Sequence, residues 1–127
     1  MIFVFGSNLA GKHGAGAARV ALLHHGAIYG EGIGRVGDSY AIPTKDKAIQ
    51  SLPLDEIREY VNSFIKYASL RLDVEFQVTQ IGCGLAGFTA EQIAPMFEPA
   101  PGNCYFDSAW KQWLPDRRFW GTFQKKG

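Results

Sequence analysis

Short apolar runs separated by polar, glycine-rich stretches predict the strands of this chain. Residues 1–5 read M-I-F-V-F, a continuous apolar run typical of a strand that is buried on both faces of a sheet. Further strands are predicted over residues 39–43, ended by Pro43, and over residues 75–81 and 103–106. The stretch over residues 29–38 carries four glycines and is expected to be irregular.

Helices are predicted between these strands. Residues 15–25 are rich in alanine and leucine, which favour helix. A second helix begins near Pro53, and its buried face is marked by residues three and four apart: Leu54, Ile57, Val61, Phe64, Ile65 and Ala68. Thr89 and Gln92 have the capping-box spacing that starts a third helix, and residues 108–114 form a short fourth one.

The alternation of strands and helices predicts the fold class. It indicates a three-layer α/β/α domain with a mostly parallel central sheet. The chain of 127 residues has the length of one domain, and no internal repeat or linker divides it. Ligands of such sheets bind outside the carboxyl ends of the strands. Polar residues that follow the strands are therefore the first candidates for a functional site.

Composition narrows the classes of protein that fit. Apolar residues make up 46% and charged residues 20%, which excludes disorder as the main state. A net charge of +1 argues against a surface built mainly to hold polyanions. No run reaches the ~20 apolar residues of a membrane helix. Two cysteines and the absence of a signal-peptide pattern over residues 1–8 predict a cytoplasmic protein without membrane partners.

Two glycine-rich loops follow predicted strands. Residues 7–18 read S-N-L-A-G-K-H-G-A-G-A-A, and residues 81–88 read I-G-C-G-L-A-G-F. Small residues let a ligand approach the backbone, and unpaired amides at a helix start bind anions such as phosphate. Two such loops at neighbouring strand ends are expected to hold a diphosphate between them. The alternative is that the glycines only make tight turns.

These loops resemble those of macrodomains, the α/β modules that bind ADP-ribose. H-G-A-G-A-A at 13–18 is similar to the family's first, catalytic loop, and I-G-C-G-L-A-G-F at 81–88 to its diphosphate-binding loop. Within the family, the terminal ADP-ribose protein glycohydrolase subclass is the most similar. A strand of that subclass ends in a T-K pair, which Thr44 and Lys45 match. The resemblance covers about residues 1–98.

The resemblance implies roles for individual residues. The lysine at the position of Lys45 attacks the distal ribose of an ADP-ribosyl ester, and an asparagine as at Asn8 contacts that ribose. Phe88 would pack against a ribose or the base. No cofactor or metal is implied. The ligand-binding positions of the two loops are Gly14, Ala15, Gly16, Gly82, Cys83, Gly84, Leu85, Ala86, Gly87 and Phe88.

The resemblance leaves three functions open. The first is hydrolysis of an ADP-ribosyl linkage on a macromolecule, or of an ADP-ribose derivative. The second is non-catalytic binding of ADP-ribose or another NAD-derived nucleotide, because Ala86 stands where the glycohydrolase has an aspartate. The third is a nucleic-acid accessory domain that uses the fold alone. Spare carboxylates at Asp38 and Asp46 near the predicted mouth are candidates to replace the missing aspartate.

Several single residues have an alternative structural role. Lys45 either faces the ligand or forms a solvated ion pair with Asp46. Cys83 is a small apolar residue in a tight loop, or a nucleophile with His13 as its base. His24 and His25 are adjacent and face different directions, which argues against a metal site.

The C-terminal tail, residues 115–127, combines basic and aromatic residues. It contains Arg117, Arg118, Lys125 and Lys126, interleaved with Phe119, Trp120 and Phe123. This composition is typical of a single-strand nucleic-acid contact. We expect instead that the aromatic side chains pack on the domain while the cations remain solvated.

Overall fold

The structure of the protein, a computed structural model, describes residues 1–122. Three helices and six strands form this part of the chain, with two short 3₁₀ helices at Ala94–Phe97 and Ser108–Trp110. The strands and helices in chain order are β1 (Ile2–Asn8), α1 (Gly16–His24), β2 (Gly34–Val36), β3 (Ser39–Lys45), α2 (Leu54–Leu70), β4 (Phe76–Val78), α3 (Ala90–Ile93), β5 (Cys104–Asp107) and β6 (Arg118–Gly121).

The strands form one mostly parallel sheet in the order β2-β3-β1-β4-β5-β6, which confirms the predicted α/β class. Only β2 runs antiparallel to its neighbour. Alternate residues of β1 enter two different cores. Val4 packs with α2, while Phe3 and Phe5 pack with Ala21 of α1. The two helices therefore cover opposite faces of the sheet, and β1 is buried on both, as its apolar run predicts.

The loops that follow β1 and β4 leave the sheet toward opposite faces. The loop after β1 leads to α1, whose residues lie in the core with Phe5. The loop after β4 leads to Ile93 and Phe97, which lie in the core with α2. Neighbouring parallel strands whose loops diverge in this way leave a crevice at their carboxyl ends, where α/β proteins bind ligands.

Three strands differ by two or more residues from their predicted bounds. β3 does not end at Pro43 but continues to Lys45, because β2 pairs with it only as far as Ala41 and a proline is tolerated at the edge beyond. β1 likewise extends past the apolar run to Asn8. β4 is shorter than residues 75–81, and Thr79 after it donates its hydroxyl to the Val4 carbonyl.

Two predicted irregular stretches contain strands, and one predicted helix is shorter than expected. β2 lies within residues 29–38, and β6 lies within the predicted tail. Trp120 of β6 donates its indole N–H to the Val78 carbonyl at 2.9 Å, so this aromatic residue packs on the domain. The helix predicted over residues 108–114 is a 3₁₀ helix of three residues. Phe123, Lys125 and Lys126 lie outside the described residues.

Membrane insertion by a helix finds no support in this part of the chain. The longest helix described, α2, has 17 residues and carries charged residues along its exposed face. Over residues 1–122, no helix combines the length and apolar character that crossing a bilayer requires.

Candidate functional site

A cavity of about 710 Å³ lies at the carboxyl edge of the sheet. The ends of β1, β3 and β4 line it, together with Ala109 after β5 and Thr122 after β6. Its volume is within the range of small-molecule sites, and it lies at the crevice between the loops that follow β1 and β4. The fold therefore provides one site at the position where this class of sheet binds ligands.

Both glycine-rich loops line this cavity. Residues 14–18 contribute from the first loop and the start of α1, and residues 82–86 contribute from the second loop. Asn8 and Lys45 line it as well. Gly87 and Phe88 are not among the lining residues. Phe88 instead packs against the core on the α2 side, and the expected contact of its ring with a ribose or base stays a prediction.

Hydrogen bonds and close packing fix the shape of the first loop. The side chain of Asn8 donates to the Lys12 carbonyl at 2.8 Å and accepts from the Lys12 amide at 3.0 Å. Gly11 has a φ of +70°, and a Cβ there would overlap the backbone of Gly30. A Cβ on Gly32 would overlap the Asn8 carbonyl. These glycines allow the loop to pack closely and to direct residues 14–18 toward the cavity.

The start of α1 leaves its amides unpaired. Its N-cap residue is Ala15, whose side chain forms no capping hydrogen bond. The N–H groups of residues 14–18 have no acceptor within residues 1–122. Unpaired amides and the positive end of the helix dipole together favour an anion at this point of the cavity.

The second loop offers amides from its tip rather than from a helix. The N–H groups of Gly84, Leu85 and Ala86 have no acceptor among the described residues. The Cys83 N–H donates to the Gln80 carbonyl, and the Gly87 N–H donates to the Gly84 carbonyl. The helix that follows, α3, is a single turn already capped by Thr89. The expectation that both loops feed a helix with open amides is therefore wrong for the second loop.

The charged side chains that line the cavity are both cationic. Among the described lining residues these are Lys12 and Lys45, and no aspartate or glutamate is present. Lys45 is half-buried and forms no ion pair with Asp46, since the Asp46 carboxylate accepts instead from the amides of Ala48 and Gln50. The alternative of a solvated Lys45–Asp46 pair is wrong, and the electrostatics of the cavity favour an anionic ligand.

Neither candidate carboxylate occupies the position of the missing aspartate. Asp38 lies at the opposite edge of the sheet, where its carbonyl accepts from the Phe3 amide at the start of β1. Its predicted place near the mouth is wrong because the turn between the antiparallel strands β2 and β3 falls at the amino edge. The Asp46 carboxylate accepts hydrogen bonds from amides of its own loop. A buried carboxylate that the sequence analysis missed, Asp107, accepts from Gln80 at 3.1 Å beside the cavity.

Cys83 does not have the surroundings of a nucleophile. Burial raises the pKa of its thiol to about 11, so it is a neutral thiol at neutral pH. Its S–H points to the Ile81 carbonyl at 3.5 Å. His13 is buried outside the cavity lining and lies 3.1 Å from the Glu31 carbonyl through Nε2. The structure therefore favours the apolar role for Cys83.

The two adjacent histidines have separate structural surroundings. His24 is exposed in the last turn of α1. His25 stacks on Phe3 with ring centroids 4.2 Å apart, and burial is the main cause that lowers its pKa. Both lie at the end of α1 remote from the cavity, so neither takes part in the site.

Lys12 and Ile49 are two of the lining residues that the sequence analysis did not select. Lys12 stands in the middle of the first loop, where its charge was the only available signal. Ile49 follows β3 and has a φ of +62°, a conformation that nothing in its residue type indicates. Lys12 thus adds a positive charge to the cavity, and Ile49 adds an apolar side chain next to the end of β3.

Comparison with known proteins adds no relative. No protein-family model matches the chain, and neither a curated protein nor a solved structure matches it. The macrodomain resemblance therefore stays a prediction from the loop sequences. Function is inferred from the fold and from the chemistry of the cavity.

Proposed function

We propose that the protein binds ADP-ribose, or a closely related NAD-derived nucleotide, with the diphosphate between the start of α1 and residues 84–86. One observation carries this proposal. Unpaired amides from two separate loops and two lysines line the same cavity, and no carboxylate is present among its described lining residues. The resemblance of both loops to those of macrodomains supports the choice of nucleotide.

The charges of the ligand and the cavity are complementary. A diphosphate diester carries two negative charges. Lys12 and Lys45 supply two positive charges, and the N-terminus of α1 adds the equivalent of about half a charge. Backbone amides that are already fixed by the fold bind phosphate oxygens with little loss of conformational entropy. The largely apolar remainder of the lining suits the sugar and base of a nucleotide.

We further propose that Lys45 acts at the distal ribose, as the resemblance implies. Its amine, after giving its proton to solvent, would attack the anomeric carbon while the bond to the leaving carboxylate breaks. Water would then cleave the new bond to the lysine and release the ADP-ribose. The bound diphosphate would hold the sugar in place for this step. The side chain of Asn8 is engaged with the backbone of Lys12 and retains one amide hydrogen for a ribose hydroxyl.

Non-catalytic binding is the second candidate function, and a specific observation favours it. No carboxylate lines the cavity among residues 1–122, so the usual group for activating water in a hydrolysis is missing from the lining. A protein of this kind would capture free ADP-ribose or an ADP-ribosylated macromolecule and release it unchanged.

Calorimetry and a turnover assay together test the proposal. We expect saturable binding of ADP-ribose with a micromolar Kd, which corresponds to a binding free energy of about −8 kcal/mol. The protein is then incubated with an ADP-ribosyl-glutamate peptide, alongside Lys45→Ala. Release of ADP-ribose from the peptide by the wild type and not by Lys45→Ala supports hydrolysis. Binding of ADP-ribose without release from the peptide supports non-catalytic binding. No ADP-ribose binding, together with salt-sensitive binding of single-stranded DNA, would contradict both in favour of a nucleic-acid function.

A further inference from the structure

Ile49 has a strained backbone beside the cavity. It is the one non-glycine residue with positive φ in the described chain, at +62°. The left-handed region is unfavourable for a side chain branched at Cβ, because the branch crowds the backbone. Such strain is retained where the surrounding structure fixes it, and it concentrates at functional sites.

A short hairpin holds Ile49 in this conformation. The Asp46 carboxylate accepts from the amides of Ala48 and Gln50 at 2.8 and 3.0 Å, and the Ile49 amide donates to the Asp46 carbonyl at 3.1 Å. Lys45 and Ser51 pair across the base of the hairpin. These hydrogen bonds determine the backbone on both sides of Ile49, so the strain does not relax.

The hairpin is also connected to the second loop. Ser51 donates its hydroxyl to the Ala86 carbonyl at 2.7 Å. Ala86 is one of the three residues at the tip of that loop whose amides are unpaired. The hairpin that carries Ile49 and the loop proposed to bind the diphosphate therefore form one connected wall of the cavity.

Core packing does not account for isoleucine at this position. The side chain is 39% exposed and belongs to neither hydrophobic core. It lines the cavity on the same hairpin as Lys45. An apolar, β-branched side chain is thus kept in an unfavourable backbone conformation where it lines the cavity rather than the protein interior.

We propose that Ile49 contacts the apolar face of the ribose distal to the adenine, and that this contact makes the site prefer ADP-ribose over ADP. The inference rests on the proposed function. β3 lies on the side of β1 away from β4 in the sheet, so its hairpin is placed where the ligand would extend beyond a diphosphate held between the loops after β1 and β4. Lys45, expected at the distal ribose, lies on the same hairpin. Ile49 is then a specificity-determining residue.

Binding of two ligands to Ile49→Gly tests the assignment. Glycine accepts positive φ and removes the side chain, so we expect ADP-ribose to bind about tenfold more weakly, while ADP binds as it does to the wild type. The melting temperature should stay at or above that of the wild type, because the strain is relieved. Ile49→Asn, which also tolerates this backbone, should show the same loss for ADP-ribose.

Ile28→Gly is the matched control. Ile28 is 55% exposed, has no positive φ and lies outside the cavity lining. This variant should bind both ligands normally and melt about 3 °C lower, since glycine there only adds backbone entropy to the unfolded chain. Equal losses for ADP-ribose and ADP in Ile49→Gly would place Ile49 at a part of the ligand that ADP also contains, and unchanged ADP-ribose binding would remove it from the site. Either result overturns the assignment alone, whereas a wild type that binds no ADP-ribose overturns the proposed function as well.

Discussion

Gly84→Val is expected to weaken ADP-ribose binding at least about 100-fold while the protein melts within about 2 °C of the wild type. Gly84 lies at the tip of the second loop and lines the cavity. A Cβ added there would meet no atom within 4 Å, and the residue has no positive φ. The fold therefore accepts valine at this position, but the branched side chain would occupy the space where the diphosphate approaches the backbone.

Gly102→Val provides the control for this prediction. Gly102 also has open space around its Cβ position and no positive φ, but it lies outside the cavity lining. Calorimetry with ADP-ribose and thermal melts of both variants make the comparison. If Gly84→Val bound ADP-ribose as tightly as Gly102→Val does, the ligand would not approach the second loop, and the proposed position of the diphosphate would be wrong.

Replacing both lysines of the cavity should produce the second large effect. We expect Lys12→Gln with Lys45→Gln to weaken ADP-ribose binding about 50-fold at low salt, because the partly enclosed cavity loses two positive charges that attract the anionic ligand. The difference from the wild type should shrink severalfold near 1 M salt, where the Debye length is about 3 Å. Calorimetry over a salt series measures both quantities.

A double variant with the same net charge distinguishes the effect of the two cavity lysines from the effect of net charge alone. Lys66 and Lys111 are exposed and lie outside the cavity lining. Lys66→Gln with Lys111→Gln should leave ADP-ribose binding within about twofold of the wild type at every salt concentration. A loss as large as that of the cavity variant would mean that net charge, rather than the two lysines of the site, determines affinity.

Periodicity explains why much of the fold could be predicted. The apolar run at the start of the chain and the stripe along α2 each match one element that buries a defined face, and the capping box of Thr89 and Gln92 depends on local hydrogen bonds only. Strands β2 and β6 have three and four residues. Segments that short carry no periodic signal, and pairing with a neighbouring strand decides their structure.

The missed antiparallel strand also explains an error at the site. With β2 unrecognised, Asp38 was expected near the cavity, whereas the hairpin turn before β3 places it at the opposite edge. The positions of the two loops could be predicted because glycine clusters after strands have a direct conformational cause. Ile49 could not, because isoleucine favours extended backbone and only the hydrogen bonds of its hairpin impose the left-handed conformation.

Backbone amide NMR during titration with ADP-ribose tests most directly whether two loops hold one diphosphate. We predict that the amide signals of Gly16 and Ala17 in the first loop and of Gly84 and Ala86 in the second shift together, with a single Kd. Inorganic pyrophosphate should move the same signals more weakly. Shifts confined to one loop, or two sets of shifts with different affinities, would contradict a shared diphosphate site.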